Sequence, residues 1–365
     1  VTAYTVRFDE QDCLDVAAVG GKALGLAEMT AAGLPVAPGF TVCTAAYRAF
    51  LEMSGVRQVI EEALAEARPD RPGTVTAAEQ AIGAALAAAE IPADVAAAVT
   101  GQYEALCAEV GVPELSVAVR SSATAEDSAG ASFAGEFETY VDISGAAEVL
   151  AHVRRCWDSV FTGRVLTYAL DHGLSPLDIE MAVVVQKTVR ARAAGVMFTL
   201  SPVTGDRSRI VLEASWGLGL AVVGGEVTPD RYTVDKIGLS VCERVAGDKR
   251  IEYRRGDAAV PVTEDRWSQL CLDDEHVVAL ARLGKSLERL QKCPQDVEFA
   301  VDEDLPEGSD VVLLQCRPET VWSSKKRAPA FDPTAGVLSM VTASVGGPGA
   351  TQKAAPGSAG IHRHG

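Results

Sequence analysis

The pattern of apolar and polar positions changes character at Ser116. Before it, from about Ala45 to Val110, the chain is rich in Ala, Glu and Leu and interrupted by Pro69, Pro72 and Pro92. That predicts a helical region with breaks. A shorter helix is expected over Lys22–Met29, preceded by Gly20-Gly21 and stopped by Gly33 and Pro35, with Gly33 supplying the left-handed cap. After Ser116, strand patterns dominate. Ser116-Val-Ala-Val-Arg120 and Phe137-Glu-Thr-Tyr-Val-Asp-Ile143 alternate like strands. Ser121 to Gly135 between them is dense in Ser, Ala and Gly and reads as a mobile loop. A helical stretch covers roughly 146–172.

Further strands are expected at Met181-Ala-Val-Val-Val-Gln186, Gly195-Val-Met-Phe-Thr199 and Ile210-Val-Leu-Glu-Ala214. Asp296–Val301 and Val311–Cys316 read as a hairpin joined by a polar loop. The sum is an α+β protein in two lobes, 1–185 and 186–327, meeting near Gln186. Beyond Arg327 the composition turns to Ala, Gly, Pro, Ser and Thr, so 328–365 is expected to be a tail or linker.

Composition narrows the partners. Of 365 residues, 33 are Lys or Arg and 50 Asp or Glu, a formal net charge of −17. Such a field disfavours nucleic acid and anionic membranes, and no apolar run is long enough to span a bilayer. A local group of cations can still hold phosphates. The eight cysteines form no Cys-x-x-Cys pair. Reduced thiols in a cytoplasmic protein are therefore expected, not zinc or a disulfide framework. No secretory signal is visible at the start.

Three familiar nucleotide signatures are absent. Gly20-Gly21-Lys22-Ala23 lacks the upstream glycine and the Ser or Thr of a Walker A loop. Gly217-Leu-Gly219 is followed by Val222 where a dinucleotide fingerprint needs glycine. Kinase catalytic-loop patterns are missing too. What remains is dispersed. Arg120 closes an apolar strand, where a guanidinium could grip phosphate oxygens or simply sit at a surface exit. Ser132-Phe-Ala-Gly135 could close backbone N–H groups over phosphates, or be only a flexible loop. Asp296 and Glu298 share one strand face, and Gln315 and Arg317 share a face of the next. Oxygen ligands of this kind suit Mg²⁺. On spacing alone, a solvated hairpin face is as open a reading.

The motifs together resemble the opening of phosphoenolpyruvate synthase and pyruvate phosphate dikinase. They run in order from Gly20-Gly-Lys-Ala-Leu-Gly-Leu-Ala-Glu-Met29 and Gly33-Leu-Pro-Val-Ala-Pro-Gly-Phe40 to Val119-Arg-Ser-Ser-Ala-Thr-Ala-Glu-Asp127. Ser132-Phe-Ala-Gly-Glu-Phe-Glu-Thr139, Gly195-Val-Met-Phe-Thr-Leu-Ser-Pro-Val-Thr-Gly205, Trp216-Gly-Leu-Gly219 and Pro229-Asp-Arg-Tyr232 continue the series. Gln295-Asp-Val-Glu-Phe-Ala300 and Leu314-Gln-Cys-Arg-Pro-Glu-Thr320 complete it. The resemblance implies an ATP-grasp fold with ATP between two lobes. Carried over to matching positions, Lys22 and Arg120 would contact the phosphates, with Gly135 and Thr139 on the phosphate-side loop. Gln186 would lie at the adenine-side hinge. Glu298 and Gln315 would hold Mg²⁺ with Asp296 beside them, and Arg317 would stabilise the transferring phosphoryl groups.

Two departures stand out. Asp302-Glu-Asp-Leu-Pro-Glu-Gly-Ser-Asp310 lengthens the hairpin tip, which is expected to be harmless. None of the histidines at 152, 172, 276, 362 and 364 has the context of the family's phosphate-carrying histidine, and His152 and His172 read as structural. The resemblance thus implies an ATP-binding subunit that phosphorylates a histidine on a separate swivelling-domain protein. A further subunit would bind the small-molecule acceptor, as in phenylphosphate synthase. The N-terminal part of a phosphoenolpyruvate synthase or rifampin phosphotransferase is the alternative. A non-catalytic ATP sensor or scaffold, and an ADP-forming ligase, are the other classes.

Overall fold

The computed structural model describes residues 3–124, 127–128, 131–132, 138–256 and 259–322. By its contacts the chain divides into Val1–Glu319 and Thr320–Gly365, and every element below belongs to the first unit. The tail expected over 328–365 lies outside the described residues.

Strand β1 (Thr5–Arg7) leads to helix α1 (Val16–Ala31). Asp15 caps α1 by accepting from the Ala17 N–H at 3.0 Å, so the helix begins before the expected Lys22. Two helical stretches join across Gly20, whose φ of 74° is non-helical. At the other end Gly33 has φ 70°, and the Leu34 N–H closes on the Met29 carbonyl at 3.0 Å. Strand β2 (Gly39–Val42) precedes four helices: α2 (Thr44–Met53), α3 (Val56–Glu66), α4 (Pro72–Ala88) and α5 (Ala93–Val110). Pro72 opens α4 and Pro92 precedes α5, positions where a missing N–H costs little.

Strands β3 (Val117–Ala123), β4 (Asp127–Ser128), β5 (Ala131–Ser132) and β6 (Thr139–Ile143) follow. The loop expected from Ser121 starts later. Ser121, Ser122 and Ala123 are buried and pair with Val183, Ala182 and Met181, because the partner strand runs on beside them. Gly135 lies outside the described residues. Helices α6 (Ala146–Asp158) and α7 (Gly163–Asp171) occupy the stretch read as helical, and β7 (Met181–Lys187) completes a five-stranded antiparallel sheet in the order β1-β2-β7-β3-β6. Its helical face holds a core that includes Phe40, Tyr47, Phe50, Val117, Val119, Val153 and Trp157.

The rest builds a second antiparallel sheet. Strands β8 (Ala191–Phe198) and β9 (Arg209–Trp216) precede the short helix α8 (Leu220–Val223), β10 (Asp230–Asp235) and β11 (Val241–Val245). A two-stranded ribbon of β12 (Ile251–Glu252) and β13 (Val260–Pro261) precedes helix α9 (Asp274–Gln291). The hairpin of β14 (Gln295–Asp302) and β15 (Val311–Pro318) forms as the sequence predicts. The sheet order is β11-β10-β9-β8-β14-β15. Residues of α1 and α9, including Leu26, Met29, Val277 and Leu280, pack with Met197, Leu212, Tyr232 and Phe299. No single helix among the described residues is long and apolar enough to cross a membrane. All eight cysteines are free thiols, six of them buried.

Candidate functional site

Strand alternation sorts β3 into two faces. Val117 and Val119 enter the helical core, while Ala118 and Arg120 turn the other way into a cleft of about 350 Å³. Thr139 and Val141 of β6 and Gln186 of β7 line the same side. Opposite them stand Gly195 of β8, Glu298 of β14, and Gln315 and Arg317 of β15. Lys22 of α1 closes one end, and Leu218, Leu220 and Val223 add an apolar wall.

Arg120 joins the two sheets. Its Nη2 donates to Glu298 Oε2 and to Gln315 Oε1, both at 2.7 Å, and its Nη1 to the Leu314 carbonyl at 3.3 Å. A β-bulge makes the third contact available. Glu298 pairs with Gln315 but Phe299 pairs with Leu313, so Leu314 is left out of the ladder. The Arg120 Nε is buried and finds no hydrogen-bond partner among the described residues. A charged side chain with an unsatisfied buried donor is costly unless something else completes it.

Lys22 is placed by Gly20. A Cβ at Gly20 would lie 2.1 Å from the Ser122 carbonyl oxygen, so only glycine lets α1 approach β3 this closely. Ser122 then pins the break, its hydroxyl donating to the Val19 carbonyl at 2.8 Å and accepting from the Ala23 N–H at 3.2 Å. Lys22 Nζ donates to the Ser121 carbonyl at 2.9 Å.

Two carboxylates of β14, Asp296 and Glu298, are shifted in opposite directions. Burial pushes the Glu298 carboxyl up, but the Arg120 guanidinium, with Arg317 and Lys22, more than offsets this and holds it below the usual range. For Asp296 burial wins: its carboxyl is raised despite Arg317, whose Nε donates to Asp296 Oδ2 at 2.8 Å. Glu298 is thus the firmer anion.

Lys22, Arg120, Thr139, Gln186, Glu298, Gln315 and Arg317 therefore line one cleft, and Asp296 joins them through Arg317. Gln186 is 2% exposed and its side-chain amide donates to the Ala37 carbonyl at 3.2 Å. Sequence reasoning passed over Lys187, which lines the cleft and donates to Asp302 Oδ2 at 3.1 Å. Asp302 was read as part of a hairpin tip. It is instead the buried last residue of β14, and its Oδ1 accepts from the Arg190 N–H. The signal was available: Lys187 follows directly on an apolar strand, as Arg120 does.

The sequence pattern of a family described as the pyruvate phosphate dikinase AMP/ATP-binding domain matches residues 16–335. A probable phosphoenolpyruvate synthase from Methanothermobacter thermautotrophicus is 39% identical over 320 residues, covering 87% of this chain and 46% of that protein. The phosphoenolpyruvate synthase of Aeropyrum pernix is 39% identical over 340 residues, covering 84% and 41%. That of Pyrococcus furiosus is 36% identical over 364 residues, covering 88% and 44%. The chain thus spans less than half the length of these curated relatives. Among solved structures, PH1788 from Pyrococcus horikoshii aligns over 72% of this chain and 98% of that one at 14% identity. Its TM-score of 0.28 is too low to inform the fold. Since the family match spans all the cleft residues named above, the chain belongs to the pyruvate phosphate dikinase AMP/ATP-binding domain family.

Proposed function

We propose that this chain is the ATP-binding, phosphotransferring part of a dikinase system, an ATP-grasp domain with lobes 1–185 and 186–327. It binds Mg·ATP in the cleft and phosphorylates a histidine on a separate swivelling-domain protein in the cytoplasm. AMP leaves, and release of the remaining phosphate consumes water. A partner subunit then passes the phosphoryl group to a small molecule. The observation that carries this reading is the bridge from Arg120 to Glu298 and Gln315 across the cleft, with one buried guanidinium N–H left without a partner among the described residues.

The cleft residues divide the work. Lys22 and Arg120 hold phosphate oxygens, and Thr139 flanks them as the cross-strand neighbour of Arg120. In the resting chain Arg120 occupies both oxygen donors of the hairpin. Incoming phosphates take over the guanidinium and release Glu298 and Gln315. Those two oxygens fit Mg²⁺: they lie opposite each other in register, and Glu298 stays ionised. A site with one carboxylate, completed by substrate phosphates, is the usual arrangement for this ion. When bound, the ion would neutralise phosphate charge. Arg317, 52% exposed and steered by Asp296, stabilises charge on the transferring group. Gln186 and Lys187 flank the adenine end, and the Leu218–Val223 wall keeps water from the base.

A second reading has its own support: coverage of only 41–46% of the relatives fits the N-terminal part of one long synthase chain. One experiment addresses both. ATP labelled at the β-phosphate is added with this chain to an extract of host cells. A chain-dependent protein label, stable to base and labile to acid, with AMP formed, is expected. ADP without protein label would end the dikinase reading and favour ligation. ATP left unconsumed would favour a sensor or scaffold.

A further inference from the structure

A cavity of about 260 Å³ lies between the end of α9, the β8–β9 connection and the β10–β11 turn, and it shares no lining residue with the nucleotide cleft. Arg207, Lys236, Lys285, Arg289 and Lys292 line it, with Glu288 its lone carboxylate among the described residues. In a chain of formal net charge −17 this concentration runs against composition. It also runs against practice elsewhere in the molecule. Arg254 and Arg266 share Glu252, and Arg190 meets Glu303 and Asp304, so a comparably arginine-rich cavity at the other end of the sheet is largely neutralised from within.

Here Glu288 is taken by Lys236 at 2.7 Å. The side chains of Arg207, Lys285, Arg289 and Lys292 find no hydrogen-bond or ion-pair partner among the described residues. The negative end of α9 accounts for Arg289 and Lys292, since cations complement terminal carbonyls. It does not account for Arg207 and Lys236, which arrive from two other turns, nor for Lys285, further back in the helix. Guanidinium forks and ammonium groups converging on a concave site match the oxygens of phosphate.

We infer that this cavity is a second binding site, for a small, multiply charged oxyanion of the phosphate class. The site is independent of the function proposed for the cleft. Its test reads individual lysines. The chain is acetylated in inorganic pyrophosphate or in sodium chloride of equal ionic strength, and rates at each lysine are followed by peptide mass spectrometry. Severalfold protection of Lys285 and Lys292 is expected, and it should vanish in the Arg207→Ala/Arg289→Ala double variant, both positions being exposed. Equal labelling at the two lysines, or protection that survives the double substitution, overturns the site. Protection confined to Lys22 would place pyrophosphate in the cleft alone and overturn it equally.

Discussion

Two clusters of buried charge hold this chain together, and they finish in opposite ways. At the base of β10, Asp230 and Lys249 are fully buried and 2.5 Å apart. Asp230 Oδ1 also accepts from the Gly247 N–H, its Oδ2 from the Cys271 N–H and the Tyr232 hydroxyl, and Lys249 donates to the Trp267 carbonyl. That cluster is closed: each charge is met by protein, and its effect is to tie two irregular segments to a strand. The cluster of Arg120, Glu298 and Gln315 spans two sheets, fronts a cleft and keeps one donor unmatched among the described residues. Burial alone therefore does not distinguish structure from chemistry. What distinguishes them is whether the network is complete without a ligand.

The sharpest way to break this comparison is at Lys249. Lys249→Met leaves Asp230 buried and uncompensated, and the expected loss is about 3–5 kcal/mol in denaturant unfolding. Nucleotide binding per folded molecule should not change. A loss under about 1 kcal/mol would mean that Asp230 is not committed to Lys249 and that the closed cluster is misdescribed. The open cluster should answer in the other currency. Arg317→Ala removes a half-exposed side chain and should fold normally. Glu298→Gln keeps the shape but gives up a carboxylate that Arg120 holds ionised, so it should fold with reduced stability at pH 7. Each should slow AMP formation about 100-fold or more, the scale of losing a preorganised charge contact in the transition state. Unchanged transfer in Arg317→Ala would remove it from the mechanism.

How far these clusters could be read in advance follows from their chemistry. Asp296 and Glu298 on one strand, and Gln315 and Arg317 on the next, are each two residues apart, so each pair's common face was visible from spacing, and the hairpin pairing followed from two apolar runs. That the two sheets face each other was not, because nothing in local spacing says which strands from distant segments meet. The bulge at Glu298 is equally silent in sequence. Helix α9 was missed although His276, Val277, Leu280, Ala281, Gly284 and Leu287 recur at helical spacing behind an Asp273 cap. Strand β10 was missed although Asp230, Tyr232 and Val234 alternate inward, and β11 for a better reason: most of it faces solvent, so its apolar pattern is weak. The Lys249 knot was invisible because its strength comes from groups on three separate stretches of chain, Asp230 and Tyr232, Gly247 beside Lys249, and Trp267 and Cys271.

A smaller test uses His276, whose two ring nitrogens are both met by protein although Asp310 Oδ1 is buried without a hydrogen-bond partner among the described residues. Its Nδ1 lies 2.7 Å from Asp273 Oδ1 and its Nε2 3.0 Å from Asp310 Oδ2, with Arg192 Nη2 at 3.3 Å from the same nitrogen. Burial pulls the imidazole down, but the two carboxylates outweigh it and raise its pKa. A raised histidine contributes stability that is fully present below the unfolded value of about 6.5 and lost as pH rises through the folded one. The stability of the wild type over His276→Gln, followed by denaturant midpoints, should therefore shrink from pH 6 to pH 8. An advantage that grows with pH would show a neutral imidazole and two carboxylates held by Arg192.

Asp296→Asn gives the smallest effect and bears most directly on the difference between closed and open clusters. Burial first, then Glu298 and Glu319, raise the Asp296 carboxyl beyond what Arg317 restores. The folded chain holds that proton more tightly than the unfolded one, so the ionised form costs stability above the folded pKa. Asparagine removes that cost. A small gain in stability is expected at pH 7, declining as pH falls through the folded value and absent below the unfolded one near 3.9. Loss of stability at pH 7 would mean that the Arg317 contact outweighs the burial of its partner. Asp296 would then belong with Asp230 and Glu298, as a carboxylate whose charge the fold favours, and not stand apart as one that the fold tolerates for the sake of the cleft.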